Sequence, residues 1–189
     1  IVQSALHCFR SKGIAETRMR DIFAESGLSA GAVYNHFPSK IELIEYLARE
    51  SEKKWLEIFT GLREREDRPG EEMLQELLAE MIDGLGQPEV VADIGSDLGI
   101  WAYSIHKTSL RPVCRRIFQT IARGFDQMLS GDRRFDAAEE ENPSASAGTH
   151  LLAQLQGLGL QAALGVPLDL EREKARVSAA ISQLVKESE

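Results

Sequence analysis

The chain has 189 residues, 43% of them hydrophobic and 28% charged, which suits a soluble globular protein with a real core and excludes a disordered chain. It contains no run of about 18 apolar residues, so no membrane span is expected. Its net charge of −8 weighs against nucleic acid only on average. Residues 1–41 carry five basic and three acidic residues, against 17 and 27 in the remainder, so a nucleic-acid contact belongs at the N-terminal end. No leader is evident, although a start at Ile1 rather than methionine leaves open a leader or basic arm ahead of it. Cys8 and Cys114 lie far apart and form no metal-spaced pair, so neither metal nor cofactor is expected, and a reducing cytoplasm fits them. Cys8 reads as a small buried hydrophobe. For Cys114, beside Arg115 and Arg116, a low-pKa redox sensor is the minor reading.

Taken in chain order, the pattern is helical throughout. "IVQSALHCFRSKG" places Ile1, Val2, Ala5, Leu6 and Phe9 on one stripe and ends at Gly13. Thr17 is expected to cap a second helix carrying Met19, Ile22 and Phe23, which stops at Gly27. Ser29 caps a short third helix through Val33 to Phe37, and Pro38 ends it. Ser39 and Glu42 form a capping box for a long fourth helix through Leu43, Ile44, Leu47, Trp55 and Phe59.

Residues 63–70 read as a charged turn before an amphipathic helix, "EEMLQELLAEMIDGL". The next helical stretch contains Gly95 and Gly99 and is expected to be bent or broken. "LRPVCRRIFQTIARGFDQMLSG" is another long helix with Pro112 in its first turn. Residues 131–146 read as a polar loop, and two helices close the chain on either side of Pro167. The fold class is therefore all-α. A three-helix helix-turn-helix domain occupies residues 1–43, and a larger helical domain occupies 44–189.

The third helix has an unusual composition for a core or a solvated face. In a helix-turn-helix unit the second element lies in the major groove of DNA. Ala30, Gly31 and Ala32 let the backbone approach closely, while Tyr34, Asn35 and His36 offer groups for phosphates and base edges. Helix starts at Thr17, Ser29 and Ser39 suit phosphate binding. Arg18, Arg20 and Lys40 sit where their own helix dipoles disfavour them, and a DNA phosphate resolves that misfit. Phe37 reads as core, and His7 and His106 as incidental or pocket-lining.

"TRMRDIFAESGLSAGAVYNHFPSKIEL" resembles the DNA-binding signature of the tetracycline-repressor (TetR) family of transcriptional regulators. Thr17, Ile22, Gly27, Ser29, Gly31, Tyr34, His36, Phe37 and Lys40 fill its characteristic places. Phe23, Ser26 and Leu28 depart from it at positions expected to face away from DNA, and Phe23 implies repacking between the first two helices. The close match spans about 45 residues, roughly a quarter of the chain, since the family's remaining helices diverge.

The resemblance implies a homodimer built on the last two helices. Leu151, Leu152, Leu155, Leu158 and Ala162 form an apolar stripe with Gly157 and Gly159 beside it, and Val177, Ala180, Ile181 and Leu184 recur on the final helix. The competing reading of these stripes is an internal core. The resemblance also implies a pocket for an unidentified small-molecule effector, with Met73, Met81, Trp101, Tyr103, His106, Phe118 and Gln154 as candidate lining.

No nucleophile with a base, phosphate-binding glycine loop or metal-spaced set is present, which argues against an enzyme. The expected function is a ligand-responsive repressor that binds a palindromic double-stranded DNA operator as a homodimer in the cytoplasm. The runner-up is a helical homodimeric interaction protein that has lost DNA binding.

Overall fold

The computed structural model describes residues 1–64, 68–130 and 146–188. Among the described residues all regular structure is helical, in nine helices, as the periodicity predicts. Three residues of the predicted charged turn, 65–67, and all but one of the predicted polar loop, 131–145, lie outside the described residues. The chain divides into two compact units, Ile1–Glu52 with Ala92–Ile117, and Lys53–Val91 with Phe118–Glu189. Each is described in turn.

The first unit contains α1 (Val2–Lys12), α2 (Met19–Ser26) and α3 (Ala30–His36). It also takes the opening of α4 (Lys40–Arg63), most of α6 (Pro88–Ile105) and the start of α7 (Arg111–Ser130). Helical spacing puts Ala5, Cys8 and Phe9 on one face of α1, and Leu43, Ile44 and Leu47 on one face of α4. These faces meet Ile14, Ile22, Ile100, Leu110 and Cys114 in one buried cluster. Full burial of an aliphatic side chain stabilises by about 1.5–3 kcal/mol, so this cluster dominates the unit's stability. Both cysteines are buried and unbridged, and burial raises the Cys8 thiol above its ordinary value. Their place in the core favours the hydrophobe reading over a redox sensor.

The expected break in α6 does not occur; the helix runs unbroken from Pro88 to Ile105. Each glycine costs only about 1 kcal/mol relative to alanine. Ser96, Ile100 and Ser104 bury one stripe of the helix, and the two serines return their hydroxyl protons to the carbonyls of Ala92 and Trp101.

The second unit holds the remainder of α4, α6 and α7 with α5 (Gly70–Gly84), α8 (Ala147–Ala163) and α9 (Leu170–Ser188). Trp55, Phe59 and the fully buried Phe125 form an aromatic cluster with ring centroids 5.7–6.3 Å apart. α5 packs along α9, and Leu74, Leu78, Ile82, Val177 and Ile181 are all buried. Polar pairs border that seam. The Ser182 hydroxyl donates to Glu71 at 3.1 Å, and the Lys174 ammonium lies 2.7 Å from Asp83. α8 starts hard against α7: the Gly148 N–H donates to Asp126 Oδ1 at 2.6 Å, and a side chain there would collide with the Ala122 carbonyl oxygen.

This contrast sets a test of glycine roles. Gly148→Ala is expected to destabilise by roughly 1–3 kcal/mol through overpacking against backbone. Gly95→Ala, with no atom within 4 Å of the new methyl, is expected to stabilise by about 0.5–1 kcal/mol. Urea midpoints at an unchanged m-value check both.

Candidate DNA-binding surface

The connection from α1 to α2 is closed by Thr17, which is fully buried. Its hydroxyl proton is shared between the carbonyls of Gly13 (2.7 Å) and Cys8 (3.2 Å). Thr17 therefore neither caps α2 nor offers its side chain to DNA, contrary to the sequence expectation. Its hydroxyl finds acceptors across the turn instead. The N-cap is Arg18, whose backbone N–H donates to Asp21 Oδ2 at 2.7 Å. Asp21 also pairs with Lys12 at 2.9 Å. The Lys12 hydrogen bond, then the Arg18 N–H, hold the Asp21 carboxyl below its ordinary pKa.

α2 ends at Gly27 in the left-handed region (φ 65°, ψ 10°), where a Cβ costs about 1–2 kcal/mol. The chain then extends through Ser29, whose Oγ accepts from the Ala32 N–H at 3.2 Å and starts α3. Only Val33 of α3 is buried. Phe37, at the C-cap, turns back toward the core and meets the Tyr46 ring edge-on at 5.4 Å. The core reading of Phe37 agrees with this placement. Ser39 and Glu42 form the predicted capping interaction: the Glu42 N–H donates to Ser39 Oγ, whose hydroxyl donates to Glu42 Oε1, both at 3.2 Å.

The rest of α3 faces outward. Ser29, Ala30, Gly31, Tyr34, Asn35 and His36 are exposed, and Ala32 is half-buried. Among the described residues the Tyr34 hydroxyl, Asn35 and His36 make no side-chain hydrogen bond. Tyr34 is braced by Phe23 of α2, ring edge to face at 5.1 Å. Phe23 is thus the support of the exposed Tyr34, a role that its departure from the signature had not suggested. Arg18 and Arg20 are exposed and have no ion pair among the described residues.

Lys40 is placed differently from the expectation that it meets a phosphate. Its ammonium points into the first unit and donates to the carbonyls of Ile14 (2.8 Å), Thr17 (2.8 Å) and Ala15 (3.3 Å). It also stands 5.0 Å from the Tyr103 ring centre. Burial, then the nearby Lys107, lower its pKa from the ordinary lysine value, while Glu16 opposes the shift. An ammonium has three donors, and all three are used here.

The effector-pocket candidates are divided between the units. Trp101, Tyr103 and His106 belong to the first; Met73, Met81, Phe118 and Gln154 belong to the second. His106 and Gln154 are exposed, which corrects their reading as pocket lining. A buried polar group that the sequence did not single out is Gln156. Its Nε2 is buried with no hydrogen-bond partner, and its spacing of four from buried Leu152 was the available signal. Among the dimer candidates, Leu151, Leu152, Leu158, Val177 and Ile181 are buried within the single chain and supply its own core. Leu155, Ala162 and Leu184 are half-buried. The outer face of α8 instead exposes Leu160 (47%) and, just past its end, Leu164 (72%), and no atom lies within 4 Å of a methyl placed on Gly157.

A short capped helix held outward behind a glycine turn, next to two arginines exposed at the start of the preceding helix, is a helix-turn-helix arrangement. Residues 1–47 match the model of bacterial regulatory proteins of the tetR family. That match covers about a quarter of the chain, over which it is similar to this family. No curated protein matches the chain in sequence. Its fold resembles a transcriptional regulator from Rhodococcus sp. RHA1, with TM-score 0.76 and 20% identity over 98% of this chain and 94% of that one. GusR of Salmonella enterica is similar, with TM-score 0.72 and 20% identity over 98% and 93%. A TetR-family regulator from Streptomyces coelicolor has TM-score 0.68 and 18% identity over 100% and 88%.

Asp21 generates a prediction about acid stability. Because its folded pKa lies below the unfolded value of about 3.9, its contribution is present above that value and is lost as pH falls through the lowered one. Asp21→Asn is therefore expected to flatten the acid-side loss of stability below about pH 4, seen in urea midpoints collected as a function of pH. An unchanged acid slope refutes the assignment.

Proposed function

We propose that this chain is a ligand-responsive transcriptional repressor that binds a palindromic operator as a homodimer and is released by a small-molecule effector. The observation that carries the reading is α3, a helix with a single buried residue whose polar side chains face outward without a partner among the described residues. Residues 1–43 act as the DNA-contacting domain, with α3 in the major groove and Arg18 and Arg20 on the phosphate backbone. Ser29, Ala30, Gly31 and Ala32 form the close-approach end of α3, and Tyr34, Asn35 and His36 reach phosphates or base edges.

Residues 44–189 act as the effector-binding and dimerisation domain. Buried Met73 and half-buried Met81 and Phe118 support a largely apolar effector, for which the unpartnered Gln156 amide offers one hydrogen-bond donor. Effector binding favours a dimer geometry whose two recognition helices no longer match the groove spacing. The partner contact centres on Gly157, Leu160 and Leu164, the apolar face that the single chain leaves open.

The deciding experiment is fluorescence anisotropy on the intergenic DNA upstream of the gene, titrated with salt. The wild-type protein is expected to bind specifically, with affinity falling steeply as salt rises. Tyr34→Ala is expected to weaken binding roughly tenfold, as for a contact worth ~1–3 kcal/mol. Arg18→Ala is expected to reduce the magnitude of the salt slope by about 0.9, the loss of one phosphate. Absence of specific binding at low salt sinks the reading and favours the non-DNA-binding interaction protein.

A separate check addresses assembly. Leu160→Glu combined with Leu164→Glu is expected to convert the dimer to a folded monomer in sedimentation analysis. A dimer unaffected by both charges would rule this face out.

A further inference from the structure

We propose that Lys40 and Tyr103 act together as positioning residues, a clasp through which α6 and α4 fix the α1–α2 connection and hence the start of α2. This inference rests on the DNA-binding reading and assigns Lys40 a role other than the phosphate contact its position suggests.

The geometry points inward. Three carbonyl oxygens, those of Ile14, Ala15 and Thr17, converge on one ammonium. Among the described residues none of these carbonyls accepts a backbone hydrogen bond, so a Lys40 side chain swung out to DNA would leave them without their donor. Ile14 is buried, so water cannot readily take over at that carbonyl. Below the ammonium lies the Tyr103 ring, whose π-face attracts a cation most strongly when it is partly removed from water. Lys107 stands 5.7 Å from the same ring centre and repels Lys40, a cost that the three carbonyls and the ring face offset.

The consequence reaches the DNA-facing side chains within a few residues. The Thr17 carbonyl held by Lys40 immediately precedes Arg18, the N-cap of α2. α2 then presents Arg18 and Arg20 and carries Phe23, the brace of Tyr34. Loosening the clasp therefore unseats the Phe23 brace of Tyr34, an uncharged contact, while every cation that touches DNA stays in reach of its phosphate.

Salt dependence separates this role from a direct phosphate contact, because only lost phosphate contacts change the slope. The full chain is compared as wild type, Tyr103→Phe, Tyr103→Leu and Lys40→Met. DNA affinity is measured across salt, and hydrogen exchange of the Arg18–Asp21 amides is measured without DNA. Tyr103→Leu and Lys40→Met are expected to lower affinity about tenfold at an unchanged salt slope and to speed exchange by a similar factor. Tyr103→Phe, which keeps the ring face, is expected to behave as wild type in both.

A slope reduced by about 0.9 in Lys40→Met, with Tyr103→Leu like wild type, overturns the clasp in favour of a phosphate contact. Tyr103 requires no charge change, so it keeps the test decisive if Lys40→Met fails to fold. Unaltered amide exchange in Tyr103→Leu also overturns the clasp. If no variant, wild type included, binds DNA, the regulator reading fails, and exchange alone then decides whether the clasp exists.

Discussion

A helix of seven residues with one buried side chain cannot hold itself in place, and the first unit is arranged around that constraint. Isolated helices of this length are marginal in water, so the order of α3 comes from its ends and neighbours. The left-handed Gly27 sets its entry angle, Ser29 satisfies its first turn, and Phe37 ties its exit to the core. Val33 is the only inward anchor between them. Freed from packing duty, the other positions of α3 can be small or polar without cost to the core. The composition that marks the helix as a recognition element is thus the same feature that makes it dependent on α2 and α4.

Charge placement follows a related division. The basic residues near the N-terminus are chemically alike in sequence, yet they do three different things. Lys12 neutralises Asp21, Arg18 and Arg20 remain exposed, and Lys40 is consumed by backbone carbonyls. A surface ion pair such as Lys12–Asp21 contributes little stability, but it removes one cation from the outward field. The positive character available to a partner is therefore narrower than the residue count suggests, and it is concentrated at the start of α2.

Much of this was legible in the sequence because it is local. Caps, glycine turns and the stop before Pro38 each depend on residues within four positions of one another, and Gly27, Ser29 and the Ser39–Glu42 pair stand where the pattern placed them. What escaped is tertiary. Thr17 looks like an N-cap until the carbonyls of Cys8 and Gly13 are seen to surround it. Lys40 looks free to meet a phosphate until Ile14 and Thr17, more than twenty positions earlier, turn their oxygens toward it. Phe23 looked like a departure to be absorbed by repacking against α1, whereas its ring partner lies on α3. Gln154 and Gln156 are indistinguishable by type, and only the phase of α8 against its neighbours decides which amide is buried.

The last two helices show the same ambiguity at larger scale. α8 is apolar on more than one side, and an apolar stripe does not reveal whether it faces its own chain or another. Burial resolves this residue by residue. Leu151, Leu152 and Leu158 go to the interior, as Val177 and Ile181 do on α9 against α5. The surplus, Leu160 and Leu164 beside an unobstructed Gly157, has no internal partner among the described residues. An exposed leucine alone needs no explanation, but two placed one turn apart beyond a glycine form a continuous apolar ridge. The internal core and the open ridge are therefore not competing readings of one stripe; they are two faces of the same helix, with different residues serving each.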